Sequence, residues 1–205
     1  SHAAMVHGLL KNGNLEINSA SGVCCSGMNA LKFGYLSVKS EQVTNAVCTG
    51  SERSSSRLKS TIFEEELSHL KELEANPILA FEKDFLRWML SDGAGAVLKK
   101  AYEKHGISPA DVDYYLPHIS SHYFKQGFYD EMKNNGVEMP YEKWFLNLSE
   151  IGNIGSASIY VMLEELVHSG RLKKGDRILL FVPESARFSY TYAYLTVHWM
   201  NQLQE

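Results

Sequence analysis

The chain has 205 residues, 44% of them apolar and 21% charged, with a formal net charge of −4 and a pI near 6.1. That is the composition of a globular protein long enough to bury a sizeable core in one or two domains. It shows no basic face that would suit nucleic acid, and no apolar run of membrane-spanning length.

In chain order, Ala3 to Leu10 reads as a helix, followed by a turn at Asn12-Gly13-Asn14. Leu15 to Asn18 reads as a short strand, and Met28 to Ser37 as a helix with Ala30, Leu31, Phe33 and Leu36 on an apolar face. Between them lies Ser21-Gly22-Val23-Cys24-Cys25-Ser26-Gly27-Met28. A thiol between a strand end and a helix start meets the positive end of the helix dipole. That favours thiolate, the form that acts as a nucleophile. The competing reading makes Cys24 and Cys25 small buried residues of a tight turn. Val43 to Cys48 reads as a second strand, apolar enough to be buried on both faces. The serine-rich stretch 51–60 reads as a loop. Phe63 to Glu74 has helical spacing of Phe63, Leu67, Leu70 and Leu73.

In the second half a helix ends at His105-Gly106, and Ser108-Pro109-Ala110-Asp111 caps a short turn. A strand closes at Leu116, before Pro117-His118. Residues 120–135 and 156–169 read as helices. Residues 144–148, 178–182 and 189–199 read as strands, the last two antiparallel neighbours. Strands alternating with helices give an α/β layered fold.

Three segments carry chemistry. Cys25, His118 and Asn153 follow one another in the chain, each at the end of an element. Cys25 suits a nucleophile, and His118 and Asn153 suit hydrogen-bond donors to a thioester oxygen that becomes negative in the transition state. Each residue also has an ordinary reading: His118 as a core histidine, Asn153 as a helix cap. His122, four residues after His118, has no third ligand spaced to complete a metal site. Three cysteines, at 24, 25 and 48, without disulfide spacing fit a reducing compartment, and the cytoplasm is expected.

These segments resemble the β-ketoacyl-acyl-carrier-protein synthase III family of thiolase-like ketosynthases. The resemblance rests on Cys25-Ser26-Gly27, on Asp92-Gly93-Ala94-Gly95-Ala96-Val97 and on Pro117-His118. It rests also on Gly152-Asn153 with Ser156-Ala157-Ser158, and on Gly170-Arg171-Leu172-Lys173-Lys174-Gly175-Asp176 before an apolar strand. It implies a partial thiolase-like αβαβα fold. Residues 1–100 would be the remainder of the N-terminal half with the nucleophile, and residues 101–205 the C-terminal half with His118 and Asn153. The family's first strands and helices have no counterpart here, and the stretch from Val97 to Pro117 is shorter than the family's.

The implied activity is a decarboxylating Claisen condensation through acyl-Cys25, with no cofactor and no metal. The Cys-x-Gly register assigns the nucleophile to Cys25 and leaves Cys24 as packing. Backbone N–H groups of Cys25 and of Ser185 or Ala186 would hold the oxyanion. The implied partners are an acyl thioester, acyl carrier protein and a second copy of the chain, with residues 43–48 near the two-fold axis.

Where the family has a glycine-rich run, this chain has Pro183-Glu184-Ser185-Ala186-Arg187-Phe188. Where it has Gln-Ala-Asn, this chain has Ile119-Ser120-Ser121. Tyr123 stands near the family's basic carrier-docking residue, which leaves Lys125, then Lys133 and Lys143, as docking candidates. These departures resemble the secondary-metabolite branches. Three other readings stay open: a non-catalytic partner subunit, acyl transfer to an alcohol or amine, and a cysteine hydrolase. The pattern around Cys25 lacks the hydrolase signature.

Overall fold

The computed structural model describes residues 1–51, 105–184 and 189–198. Helix α1 (His2–Leu10) starts where Ser1 Oγ accepts from the Ala4 N–H at 3.3 Å, and ends at Lys11 with φ 50°. Helix α2 (Ser26–Lys39) begins directly after Cys25. Strand β1 (Tyr114–Pro117), helix α3 (Lys125–Asn134), the single turn α4 (Leu148–Ile151), helix α5 (Ser158–His168) and strands β2 (Arg177–Pro183) and β3 (Tyr190–Thr196) follow.

The sheet runs in the order β1-β2-β3. β1 is parallel to β2, with Tyr114 opposite Ile178 and Pro117 opposite Phe181. β3 is antiparallel, with Arg177 opposite Thr196 and Pro183 opposite Tyr190. The central strand is Arg-Ile-Leu-Leu-Phe-Val-Pro, buried at every position after Arg177, as a strand covered on both faces requires. Its alternation sorts two cores. Ile178, Leu180 and Val182 pack with Leu116, Cys25, Met28, Met162 and Leu166. Leu179 and Phe181 pack with Tyr115, Phe128, Met132 and Met139. The sheet therefore lies between α2 and α5 on one side and α3 on the other.

Several expected elements differ. Residues 15–18 are not a strand: Leu15 and Ile17 are exposed, and no neighbouring strand pairs with them among the described residues. Residues 43–48 are not a strand either. Val47 is 75% exposed, and Cys48 lies across α2, its Sγ 3.5 Å from the Ala30 carbonyl oxygen. An apolar run becomes a strand only where a partner strand takes its backbone groups. At 144–148 a single bridge joins Trp144 to Tyr115, because the Trp144 indole turns back to the Met139 carbonyl (2.8 Å) and α4 begins at Leu148. The helix expected at 120–135 is a 3₁₀ turn at 122–124 leading into α3, and that expected at 156–169 is a 3₁₀ turn at 155–157 leading into α5. The readings at 63–74 and 92–97 lie outside the described residues.

Candidate active site at the end of the central strand

Three turns distant in sequence meet at the C-terminal end of β2. The first carries Cys25, which is 3% exposed. Its Sγ donates to the Val182 carbonyl at 3.2 Å. Cys24 is buried in the same core, at 4%. Gly27 explains the Cys-x-Gly spacing sterically. A Cβ there would stand 2.2 Å from the Ser156 carbonyl oxygen and 2.9 Å from Tyr160 Cε2. The Tyr160 hydroxyl donates to the Gly27 carbonyl at 2.7 Å. Only a residue without a side chain lets the first turn of α2 lie against the 153–160 segment.

The second feature is Glu184, which the sequence reading did not single out. Its carboxylate is 4% exposed and takes two backbone N–H groups of the cysteine turn. Val23 N donates to Oε1 at 2.5 Å and Cys25 N to Oε2 at 2.7 Å. This corrects two expectations. The Cys25 N–H expected in the oxyanion hole is engaged by a carboxylate. The thiol is not shifted toward thiolate but pushed up to about 12. Burial is the main cause, a hydrogen bond from Thr191 opposes it, and the Glu184 carboxylate adds to the rise. An anion seated on the helix N-terminus offsets the positive end of the dipole that the expectation relied on.

The third turn carries His118. β1 ends at Pro117, and the His118 N–H extends the ladder by donating to the Phe181 carbonyl at 2.8 Å. The ring is buried, at 4%. Burial pushes its pKa down to about 4, against the opposing effect of Glu184's charge. It is therefore neutral at pH 7. Its Nε2 has no hydrogen-bond partner among the described residues. The ring lines a cavity of about 10 Å³ with Leu146, Asn147, Gly152, Ser158 and Met162, room for about one water. Asn147, also missed from sequence, is buried there and donates from Nδ2 to Glu165 at 2.9 Å.

Asn153 sits in the glycine-flanked turn that packs on Gly27. Its Oδ1 accepts from the Gly155 N–H at 3.0 Å. That contact makes it a turn residue rather than a helix cap, and leaves the NH₂ as its donor group. Glu184 thus bonds the cysteine turn and its charge reaches His118, while Asn153 is tied in through the packing of the segment after it on Gly27. The cavity does not include Asn153.

Ser185 and Ala186 lie outside the described residues. Lys125 opens α3 with its Nζ 4.6 Å from the centre of the Tyr141 ring. Lys133 pairs with Glu138 at 3.3 Å, and Lys143 donates to the Pro109 carbonyl at 3.1 Å. His122 bonds Ser149 at 2.9 Å. No group of three metal-ligating side chains occurs among the described residues, and no described helix is long and apolar enough to cross a membrane.

The family model for the C-terminal domain of 3-oxoacyl-[acyl-carrier-protein] synthase III matches residues 102–195. The β-ketoacyl-[acyl-carrier-protein] synthase III of Clostridioides difficile is 32% identical over 81 residues, 40% of this chain and 23% of the relative. That of Microcystis aeruginosa is 35% identical over 82 residues, 40% of this chain and 23% of the relative. The aligned stretches thus span about a quarter of these relatives. Among solved structures, OleA of Xanthomonas campestris bound with cerulenin matches over 96% of this chain and 68% of its own, with a TM-score of 0.76 and 19% identity. The fold is the thiolase-like one, in part.

Proposed function

We propose that this chain, a ketosynthase of the synthase III type in the stretch that resembles that family, carries out decarboxylating Claisen condensation through an acyl-Cys25 intermediate. The supporting observation is the meeting of the Cys25 and His118 turns at the end of β2, with Cys25 bonded to the Val182 carbonyl and His118 to the Phe181 carbonyl, and the segment after Asn153 packed on Gly27. Cys25 attacks the acyl thioester carbonyl, the carrier thiol leaves, and the acyl group stays on Sγ. A malonyl thioester then loses carbon dioxide while His118 and Asn153 donate to its carbonyl oxygen. The enolate carbon attacks acyl-Cys25 and releases the thiol. A neutral buried histidine suits this work, because its N–H donates to the developing charge from a site shielded from bulk solvent. The oxyanion of the acyl transfers falls to the N–H groups of Ser185 or Ala186.

Acyl carrier protein is the proposed partner, with Lys125 in its docking surface, and a homodimer the proposed assembly. The three free thiols suit the cytoplasm. The test is release of labelled carbon dioxide from malonyl carrier protein in the presence of an acyl thioester. Release that requires both His118 and the acyl donor supports the reading, and absence of condensation product refutes it. A second reading, a non-catalytic partner subunit, is favoured by the raised thiol and the occupied Cys25 N–H. That reading predicts no acyl adduct on the wild-type chain.

A further inference from the structure

Glu184 stands where the synthase III resemblance calls for a glycine-rich run, and it brings an ionisable group into contact with the nucleophile's turn. Its two oxygens are each fixed by a backbone N–H of that turn, from Val23 at 2.5 Å and from Cys25 at 2.7 Å. The residue is buried, at 4% exposed, and no lysine or arginine pairs with it among the described residues. The backbone behind it is also fixed, because Glu184 N donates to the Ser189 carbonyl at 2.7 Å. Two groups at the end of β2 are placed to accept from the thiol. One is the Val182 carbonyl, 3.2 Å from Sγ, which accepts a hydrogen bond but does not take a proton. The other is the Glu184 carboxylate, whose Oε2 accepts from the Cys25 N–H at 2.7 Å and so stands against the same residue's thiol, and it does.

We propose that Glu184 is the base that removes the Cys25 proton during acylation, and so a further catalytic residue of the acyl transfer. The inference rests on the acyl-Cys25 reading given above. In the step, the Sγ–H bond breaks and its proton passes to a Glu184 oxygen as Sγ bonds to the thioester carbonyl carbon. The carrier's sulfur then leaves as thiolate and takes that proton back from Glu184. The carboxylate ends as it began, and the net change is exchange of one thioester for another. The Thr191 hydroxyl beside Sγ stabilises the sulfur while it is negative. The need for a base follows from the thiol. With its pKa near 12, only about one molecule in 10⁵ is thiolate at pH 7, so the proton has to go during the attack. Helix-dipole activation, in which thiolate waits preformed, is the alternative.

The test is single-turnover acylation of the full chain by acetyl- and octanoyl-coenzyme A, followed by intact mass from pH 6 to 10. The variants are Glu184→Gln and Glu184→Asp, with iodoacetamide alkylation of Cys25 measured in parallel. A general base contributes typically 10²–10⁴-fold. E184Q should therefore acylate at least ~100-fold more slowly at pH 7, with a rate that climbs about tenfold per pH unit. Wild type should show a flatter profile, and E184D should stay within ~10-fold of wild type. Alkylation, which reports thiolate alone, should not slow in E184Q, because removing a negative neighbour favours thiolate. Acylation by E184Q at the wild-type rate or faster overturns the proposal and leaves the acyl-Cys25 reading standing. If E184Q does not fold, the wild-type profile decides, and a tenfold climb per pH unit from 7 to 10 overturns the proposal. Absence of any wild-type adduct overturns the acyl-Cys25 reading and this inference with it.

Discussion

Gly27→Ala tests the packing that holds the site together. The added methyl carbon would stand 2.2 Å from the Ser156 carbonyl oxygen and 2.9 Å from Tyr160 Cε2. The nearer contact is with backbone, so no rotamer change relieves it. The start of α2 has to move away from the 153–160 segment by about 1 Å to restore an ordinary contact. In an open helix, alanine in place of glycine stabilises by about 1 kcal/mol. Here overpacking costs about 1–3 kcal/mol. Loss of the Tyr160–Gly27 hydrogen bond at 2.7 Å costs about 1 kcal/mol more. The balance is a destabilisation of about 1–3 kcal/mol. Gly127 is the control: it lies exposed in α3 with nothing within 4 Å of its Cβ position, so Gly127→Ala should stabilise by about 0.5–1 kcal/mol. Urea unfolding followed by far-ultraviolet circular dichroism measures both. A G27A protein as stable as wild type, with G127A behaving as stated, would refute the close approach of α2 to the 153–160 turn.

His118→Ala and Asn153→Ala should each lower condensation by about 10²–10³-fold while leaving self-acylation within ~10-fold. Equal loss of both half-reactions, resolved by single-turnover kinetics, would contradict their assignment to the malonyl oxygen. Stability should fall with acid in a window set by His118. Its folded pKa near 4 lies below the ordinary 6.5, so from pH 6.5 down to 4 the unfolded chain binds a proton that the folded chain does not. The loss approaches ~3 kcal/mol at pH 4. It should vanish in His118→Asn, and a variant with the same acid slope as wild type would contradict it. Phe33, Leu36 and Val47 present apolar surface, 43%, 49% and 75% exposed, which the proposed homodimer would cover. Light scattering should give twice the chain mass, and a monomer at micromolar concentration would contradict the dimer.

Much of the fold is legible in the sequence where a local pattern and its tertiary partner agree. The apolar run 178–182 is a strand because helices cover it on both faces, and Met162 and Leu166 face inward as their spacing predicts. The short strands expected at 15–18 and 43–48 have no pairing partner among the described residues. Alternation and apolarity describe what a strand tolerates, while a strand also needs a hydrogen-bonding neighbour. Of the site, the residue types and their register are readable: Cys25 is buried at a helix start, His118 at a strand end, and Gly27 is obligatory. The electrostatics are not. Glu184 meets Cys25 across 159 residues of sequence, and nothing local to either residue announces it. Burial reverses the thiolate expectation and that contact adds to it, because a helix N-terminus activates a thiol only when no other anion occupies it. Asn147 escaped notice similarly: its place beside the His118 cavity comes from the turn before α4.

The claim on which the rest depends is that Cys25, and not Cys24, carries the acyl group. Both thiols are buried side by side, at 3% and 4% exposed, and the Cys25 sulfur donates to the Val182 carbonyl at the end of β2 at 3.2 Å. Incubation of the chain with a panel of acyl thioesters, followed by intact mass and peptide sequencing, separates them. The account predicts one acyl adduct on Cys25, lost in Cys25→Ala and kept in Cys24→Ala. An adduct mapped to Cys24, or none with any thioester in the panel, would contradict it.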